Sequence, residues 1–127
     1  MSLLRHNALL LERNELLDEP VVGPILRVRP NDGDLLRDGR QRWWVLVDLS
    51  REGETAVRAV VSTSFDGVLW YPVLTLSPRR TASLAAFVEL PAFAPLIRAE
   101  TRGCEVLPKH RAVLRLASDG PFVAAPA

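Results

Sequence analysis

Cysteine is nearly absent from this sequence, since Cys104 is the single example in 127 residues. One cysteine cannot form an internal disulfide, and one cysteine with two histidines cannot supply the four ligands of a structural zinc site. Asp32, Asp34 and Asp38 cluster, but they lack the ligand spacing of a calcium loop and are expected to be a solvated turn. We therefore expect no metal, an inert Cys104, and synthesis in the cytoplasm.

An excess of one charge sign is also lacking. Sixteen basic residues stand against fifteen acidic ones, which gives a net charge of +1, and the two signs alternate along the chain. A basic surface stripe is the usual signature of nucleic-acid binding, so nucleic acid is not an expected partner.

Long apolar runs are missing as well. No stretch reaches the roughly 20 apolar residues of a membrane-spanning helix, and no membrane partner is expected. The first eleven residues have a short apolar run that Arg5 and His6 interrupt, without a small-residue cleavage site, so they do not fit a signal peptide.

The sequence lacks the catalytic and phosphate-binding motifs of common enzymes. None of the seven glycines belongs to a phosphate-binding motif, and neither His6 nor His110 lies in the signature of a catalytic triad. Catalysis would require His110, Cys104 and a carboxylate within hydrogen-bonding reach of one another. We expect a protein that is not an enzyme and that holds no cofactor and no small-molecule ligand.

Ten prolines and seven glycines divide the chain into short apolar segments, which is typical of a sandwich or a small barrel. In the segment from Arg42 to Leu49, the odd positions Trp43, Val45, Val47 and Leu49 are all apolar, as expected for a half-buried strand. Seven segments fit strands: Ile25 to Arg29, Arg42 to Leu49, Thr55 to Ser64, Val68 to Leu74, Leu84 to Leu90, Leu96 to Arg102 and Ala112 to Ser118. No helical crossover separates them. The fold class is therefore predicted to be mainly β, an antiparallel two-sheet β-sandwich that is jelly-roll-like.

The boundaries follow from this pattern. Residues 1–20 are expected to form an N-terminal arm, either a short helix with leucines on one face or an edge strand. Residues 21–120 form the β-sandwich domain, and residues 121–127 form a flexible tail. The second and third strands are expected to pair through the short loop from Ser50 to Glu54.

The most distinctive motif is a hairpin signal, in which Asp66 and Gly67 separate two apolar segments. Ser64, Asp66, Gly67 and Trp70, followed by Leu96-Ile97-Arg98 in a later strand, resemble the pattern of discoidin-like or galactose-binding-like sandwiches. The same pattern is common in small sandwich proteins of tailed-phage particles. The resemblance spans roughly Trp43 to Arg102 and implies either a particle component or a sugar-binding module.

Surplus apolar residues point away from the predicted core. If Trp43, Val45 and Val47 face inward, then Trp44 and Leu46 face outward, and the same alternation places Val60 and Phe87 outside. A subunit interface or the leucine-rich arm from Leu9 to Leu17 should cover them. The sequence thus favours a structural protein of a phage-like particle, a tail, neck or capsid-surface component of the virion that binds copies of itself and other subunits. A carbohydrate-binding module is the alternative, and exposed aromatic residues clustered at one end of the sandwich would favour it.

Overall fold

The computed structural model describes residues 6–30, 42–53, 55–77, 82–88, 95–103 and 106–127. Within these ranges the chain forms nine strands. They are β1 (His6–Leu17), β2 (Leu26–Pro30), β3 (Trp43–Arg51), β4 (Val57–Ser64), β5 (Tyr71–Leu76), β6 (Ala82–Val88), β7 (Leu96–Gly103), β8 (His110–Ser118) and β9 (Phe122–Pro126). In this part of the chain, no helix has the length and hydropathy needed to cross a membrane.

The strands form two antiparallel sheets that pack against each other. Sheet A has the order β1-β8-β3-β6, and sheet B has the order β5-β4-β7-β2-β9. The predicted antiparallel β-sandwich is therefore confirmed.

The pairing pattern explains how the two sheets arise from one chain. β4 pairs with β5, β3 with β6, β2 with β7 and β1 with β8, so each pair lies one step further from the β4–β5 turn. This is the pattern of one long hairpin folded over on itself, a jelly roll. The pairs β3–β8 and β4–β7 then complete the two sheets, and β9 extends sheet B beyond β2.

The core lies between the sheets and is built from alternating residues. β3 contributes Trp43, Val45, Val47 and Leu49, all buried, as the alternation of apolar residues predicts. Across the core, β4 contributes Val57, Ala59 and Val61. Burying apolar side chains on facing sheets removes both sets from water, which is the main stabilising contribution in such a sandwich.

The predicted pairing of the second and third strands is wrong. β3 belongs to sheet A and β4 to sheet B, so the connection between them crosses from one sheet to the other. Each of the two strands carries one apolar face. The strands can bury these faces equally well as neighbours in one sheet or as members of two facing sheets. A short loop between two half-buried strands therefore does not distinguish the two arrangements.

Residues 6–17 of the N-terminal segment form a strand, so the helical alternative is wrong for them. The pairing of β1 with β8 shifts register between Leu9 and Leu11, which is the signature of a β-bulge. The bulge allows both Leu10 and Leu11 to be buried in the core. Two adjacent buried leucines break the two-residue period, and this made the segment resemble a helix.

Residues 6–17 of the arm do not cover Trp44. β1 lies beside β8 in the plane of sheet A, and it does not cross the outer face of that sheet. Residues 6–17 are therefore an integral part of the sandwich.

The C-terminal segment likewise differs from the expected flexible tail. β9 pairs with β2 over five positions, from Leu26↔Pro126 to Pro30↔Phe122. The Phe122 ring meets the Trp43 ring edge-on, with 5.0 Å between the centroids, a favourable arrangement for aromatic pairs.

Candidate functional site

The first candidate surface is the outer face of sheet A. Alternation along β3 buries Trp43 and Val45 in the core and leaves Trp44 and Leu46, both half-buried, on the opposite face. Next to them across the sheet lie Arg115 and the fully buried Ala117 of β8, and on the far side of Arg115 lies Leu9 of β1. These five residues define what we call the A-face. Most of its members are apolar.

One positive charge lies in the middle of the A-face. Arg115 is the cross-strand partner of both Leu9 and Leu46. Its Nη1 donates a 3.2 Å hydrogen bond to the neutral Asn7 Oδ1. The acidic residues of this face, Glu12 and Asp48, are instead the cross-strand partners of Val113, about one side-chain row away. The A-face is thus an apolar surface with a cation at its centre.

The four predicted interface residues do not lie on one surface. Trp44 and Leu46 lie together on the A-face, and Phe87 is the cross-strand partner of Trp44 on β6; the placement of the Phe87 side chain lies outside the described part of the structure. Val60 belongs to β4 of sheet B and is only 3% exposed. Its side chain is covered within the chain and offers little surface to a partner.

The second candidate surface is the turn between β4 and β5, residues 65–71, which we call the hairpin tip. Gly67 has a φ of +82°, a backbone conformation that glycine adopts without a steric penalty. The Asp66 carboxylate Oδ1 accepts hydrogen bonds from the Val68 and Leu69 backbone N–H groups at 2.9 and 3.1 Å. The Ser64 hydroxyl oxygen accepts the Gly67 N–H at 2.8 Å. Side-chain acceptors therefore fix the turn backbone.

The hydrogen bonds to Asp66 also act on its charge. They lower the pKa of the carboxyl, mainly through the Val68 and then the Leu69 N–H group, because these bonds stabilise the ionised form. Asp66 is consequently a permanent negative charge at the hairpin tip under neutral conditions.

Large apolar side chains surround this charge and face solvent. Phe65, Val68, Leu69 and Tyr71 are 58%, 78%, 61% and 52% exposed. The sequence pattern does not indicate this surface, because it predicts a strand over Val68 to Leu74, whereas the strand begins only at Tyr71. The available signal was the spacing: four large apolar residues lie within seven positions around an Asp-Gly turn.

The hairpin tip is anchored to the outer face of sheet B. The Arg98 guanidinium lies 4.4 Å from the centroid of the Trp70 ring, within the range of a cation–π contact. Trp70 Nε1 donates to the Gly67 carbonyl at 3.2 Å. A Cβ built on Gly67 would lie 3.5 Å from Leu96, so the turn rests on β7.

A buried polar cluster lies at the opposite end of the sandwich, around His110. The His110 Nδ1 lies 2.9 Å from the Pro108 carbonyl oxygen, which can only accept, so this nitrogen carries a proton. In the neutral ring Nε2 then accepts from the Thr101 hydroxyl at 2.9 Å, and Thr101 Oγ1 accepts the Val21 N–H. The Arg13 guanidinium lies 3.3 Å from the same Nε2.

These surroundings keep His110 neutral. The pKa of His110 is lowered, first because burial removes water from the charged form and also because Arg13 is positive, while the bond to Pro108 opposes the shift. His110 and Thr101 are both fully buried. A pair of this kind has the distance of a base and a hydroxyl nucleophile, but a substrate cannot reach it.

The last group of candidates is the metal-ligating and nucleophilic side chains. Within the described ranges, no group of three or more His, Cys, Asp or Glu side chains is arranged to hold a metal ion. Asp32, Asp34, Asp38 and Cys104 lie outside those ranges. Among the described residues, the two candidate surfaces are thus the half-buried A-face and the exposed hairpin tip.

Comparisons with protein-family models, curated proteins and solved structures find no match to this chain.

Proposed function

We propose that this protein is a non-enzymatic assembly subunit, which binds copies of itself and other subunits through the outer face of sheet A. The observation that carries the proposal is the A-face itself, on which Trp44, Leu46 and Leu9 lie around Arg115. Leu9 is 39% exposed, and Trp44, Leu46 and Arg115 are half-buried. Apolar surface grouped in this way is typical of a contact site, and aromatic residues and arginine are enriched at protein interfaces.

The particle class rests on the sequence resemblance. The motif from Ser64 to Trp70 with Leu96-Ile97-Arg98 resembles small sandwich proteins of tailed-phage particles, and a jelly roll is a common architecture of capsid proteins. We therefore propose a tail, neck or capsid-surface component of a phage-like particle. The complete burial of His110 and Thr101 supports a role without catalysis.

The experiment is a mass measurement by light scattering at several concentrations. The wild-type mass should rise with concentration, and Trp44→Ala should weaken self-association at least about fivefold while leaving the domain folded, because a truncated aromatic anchor usually costs more than about 1 kcal/mol of binding.

Val22→Ala is the matched control. Val22 is 58% exposed and pairs with Glu100 of β7, a strand of sheet B. The Val22→Ala variant should associate like the wild type. A wild-type chain that stays monomeric at every concentration, measured alone and with other subunits of its particle, would contradict the proposal.

A carbohydrate-binding module is the second candidate, and the hairpin tip favours it. Phe65 and Tyr71 are exposed aromatic residues at one end of the sandwich, and such rings can stack against sugar rings. Titration with a panel of oligosaccharides distinguishes this function. Saturable binding that Tyr71→Ala removes would support it, and the absence of binding would leave the assembly role.

A further inference from the structure

The hairpin tip is built to present an apolar surface in one conformation. Hydrogen bonds to Asp66 and Ser64 fix its backbone, and the Trp70 contact with Arg98 fixes it to the sheet. A surface that is ordered before binding loses less entropy when a partner binds. The exposed apolar side chains are therefore well suited to a specific protein contact.

The composition of the hairpin tip selects among possible partners. Its two most exposed side chains, Val68 and Leu69, are aliphatic, and a sugar stacked on Phe65 or Tyr71 would leave them in water. Insertion into a bilayer would carry the ionised Asp66 carboxylate with them, and a charged carboxylate is strongly disfavoured in the hydrocarbon region. An apolar protein surface with a positive charge can contact the aliphatic side chains and can also pair with the ionised Asp66.

The A-face has the complementary composition. The hairpin tip places apolar side chains around one anion, Asp66, and the A-face places Trp44, Leu46 and Leu9 around one cation, Arg115. We infer that the hairpin tip of one copy docks on the A-face of a second copy, with Asp66 near Arg115. This inference rests on the proposed assembly function and names the partner of the same surface.

The contact must form between two molecules. Trp70 and Leu96 attach the hairpin tip to the outer face of sheet B, whereas the A-face lies on the other side of the sandwich. Two different surfaces meeting in this way make a heterologous interface, which produces a ring when the rotation closes and a filament when it does not. A face-to-face dimer would instead use the A-face twice.

The test uses two variants that each disable one half of the contact. The tip variant Val68→Glu/Leu69→Glu puts carboxylates where apolar contact is needed, at positions exposed enough that folding should be unaffected. The face variant Leu46→Glu puts a carboxylate beside Arg115, where it also repels Asp66; Leu9→Glu is a second face variant for the case that Leu46→Glu does not fold. Val106→Glu is the control, because Val106 is 75% exposed and precedes β8 at the opposite end of the sandwich.

Each variant and the equimolar mixture of tip and face variants are measured by light scattering, with circular dichroism to verify folding. We expect both variants to be monomeric and Val106→Glu to assemble. The mixture should form a 1:1 dimer and nothing larger, because only the intact tip of one variant and the intact face of the other can meet.

Three results separate the possibilities. A tip variant that assembles like the wild type overturns the tip-to-face contact and leaves the proposed assembly role intact. A mixture that stays monomeric also overturns it. If the wild type itself never associates with its own copies, the self-association part of the proposed function fails together with this inference.

The charge pairing has its own measurement. Asp66→Asn keeps a side-chain oxygen for the Val68 and Leu69 N–H groups but removes the negative charge. Arg115→Gln keeps a side-chain donor but removes the positive charge. In a double-mutant cycle, either single change should weaken association, and the double variant should be weakened by less than the sum of the two single effects. Fully additive effects would overturn the pairing of Asp66 with Arg115.

Discussion

At the scale of single residues, His110 shows how burial decides a protonation state. Its ring is fully buried, and both nitrogens are engaged with acceptors and donors that suit the neutral form. A proton on Nε2 would turn it from an acceptor into a donor and would face the positive Arg13. Arg13 itself donates to the backbone carbonyls of Leu17 and His110, so it holds the end of β1 to β8.

This arrangement predicts a pH dependence of stability. The pKa of His110 is lowered in the folded state, so the unfolded chain binds the proton more readily. Stability is complete above the unfolded pKa of about 6.5 and falls as the pH decreases from there through the folded pKa. Urea unfolding at about pH 7.5 and pH 5 should show this loss.

His110→Gln is the matched variant for this measurement, since an amide can still donate and accept but does not titrate. It should be less stable at neutral pH because its shape fits the site poorly. Its free energy of unfolding should nevertheless change less between the two pH values than that of the wild type. An equal change in both proteins would show that other groups cause the dependence.

At the scale of elements, what the sequence predicted depended on how regular each element is. The alternation in β3 is unbroken, so its buried and exposed faces followed directly from the sequence. β1 contains a bulge that places Leu10 and Leu11 side by side in the core, and no period fits both. β9 is held in place by the backbone of β2 and by the Trp43 ring. The Ala/Pro sequence of the last residues does not indicate these contacts.

Gly23 marks the place where the segment before β2 passes closest to β1. A Cβ at this position would lie 2.3 Å from the Leu10 carbonyl oxygen, which is backbone and cannot rotate away. We expect Gly23→Ala to destabilise the protein by at least about 2 kcal/mol, within the range for overpacked sites.

Gly53→Ala is the comparison for Gly23→Ala in thermal or urea unfolding. Nothing lies within 4 Å of a Cβ at Gly53, but its φ is +73°, so the expected cost is about 1 kcal/mol and comes from backbone strain alone. A Gly23→Ala variant no less stable than Gly53→Ala would show that β1 can move away from this segment.

At the scale of the whole molecule, the fold class followed from short strands and frequent turns, but the pairing of strands did not. The sequence signal for β4 and β5 is local, because Asp66 and Gly67 lie between them. The pairs β1–β8 and β2–β7 join opposite ends of the chain, and no short-range pattern contains them. The A-face illustrates the same limit: alternation predicted that Trp44 and Leu46 face outward, whereas only the strand order places Leu9 and Arg115 beside them.

The same topology predicts the order of folding. Among the described strands, only β4 and β5 are both consecutive in the chain and paired, so their turn closes the shortest loop at the lowest entropic cost. The pairs β3–β6, β2–β7 and β1–β8 should then form in this order, because each pair brings the ends of the next one close together. We expect refolding on a millisecond-to-second timescale, as is usual for β-sandwiches, with the β4–β5 hairpin formed in the transition state.

Two substitutions test this order in refolding and unfolding rates measured against urea concentration. Gly67→Ala, which forces alanine to a φ of +82°, should cost about 1 kcal/mol and slow refolding about fivefold, because the turn is already formed when the barrier is crossed. Leu10→Ala should cost about 2–5 kcal/mol and act mainly by accelerating unfolding, because β1 joins β8 last. The opposite result would contradict this order. If Leu10→Ala slows refolding and Gly67→Ala accelerates unfolding, then β1 and β8 pair early and the β4–β5 turn closes late.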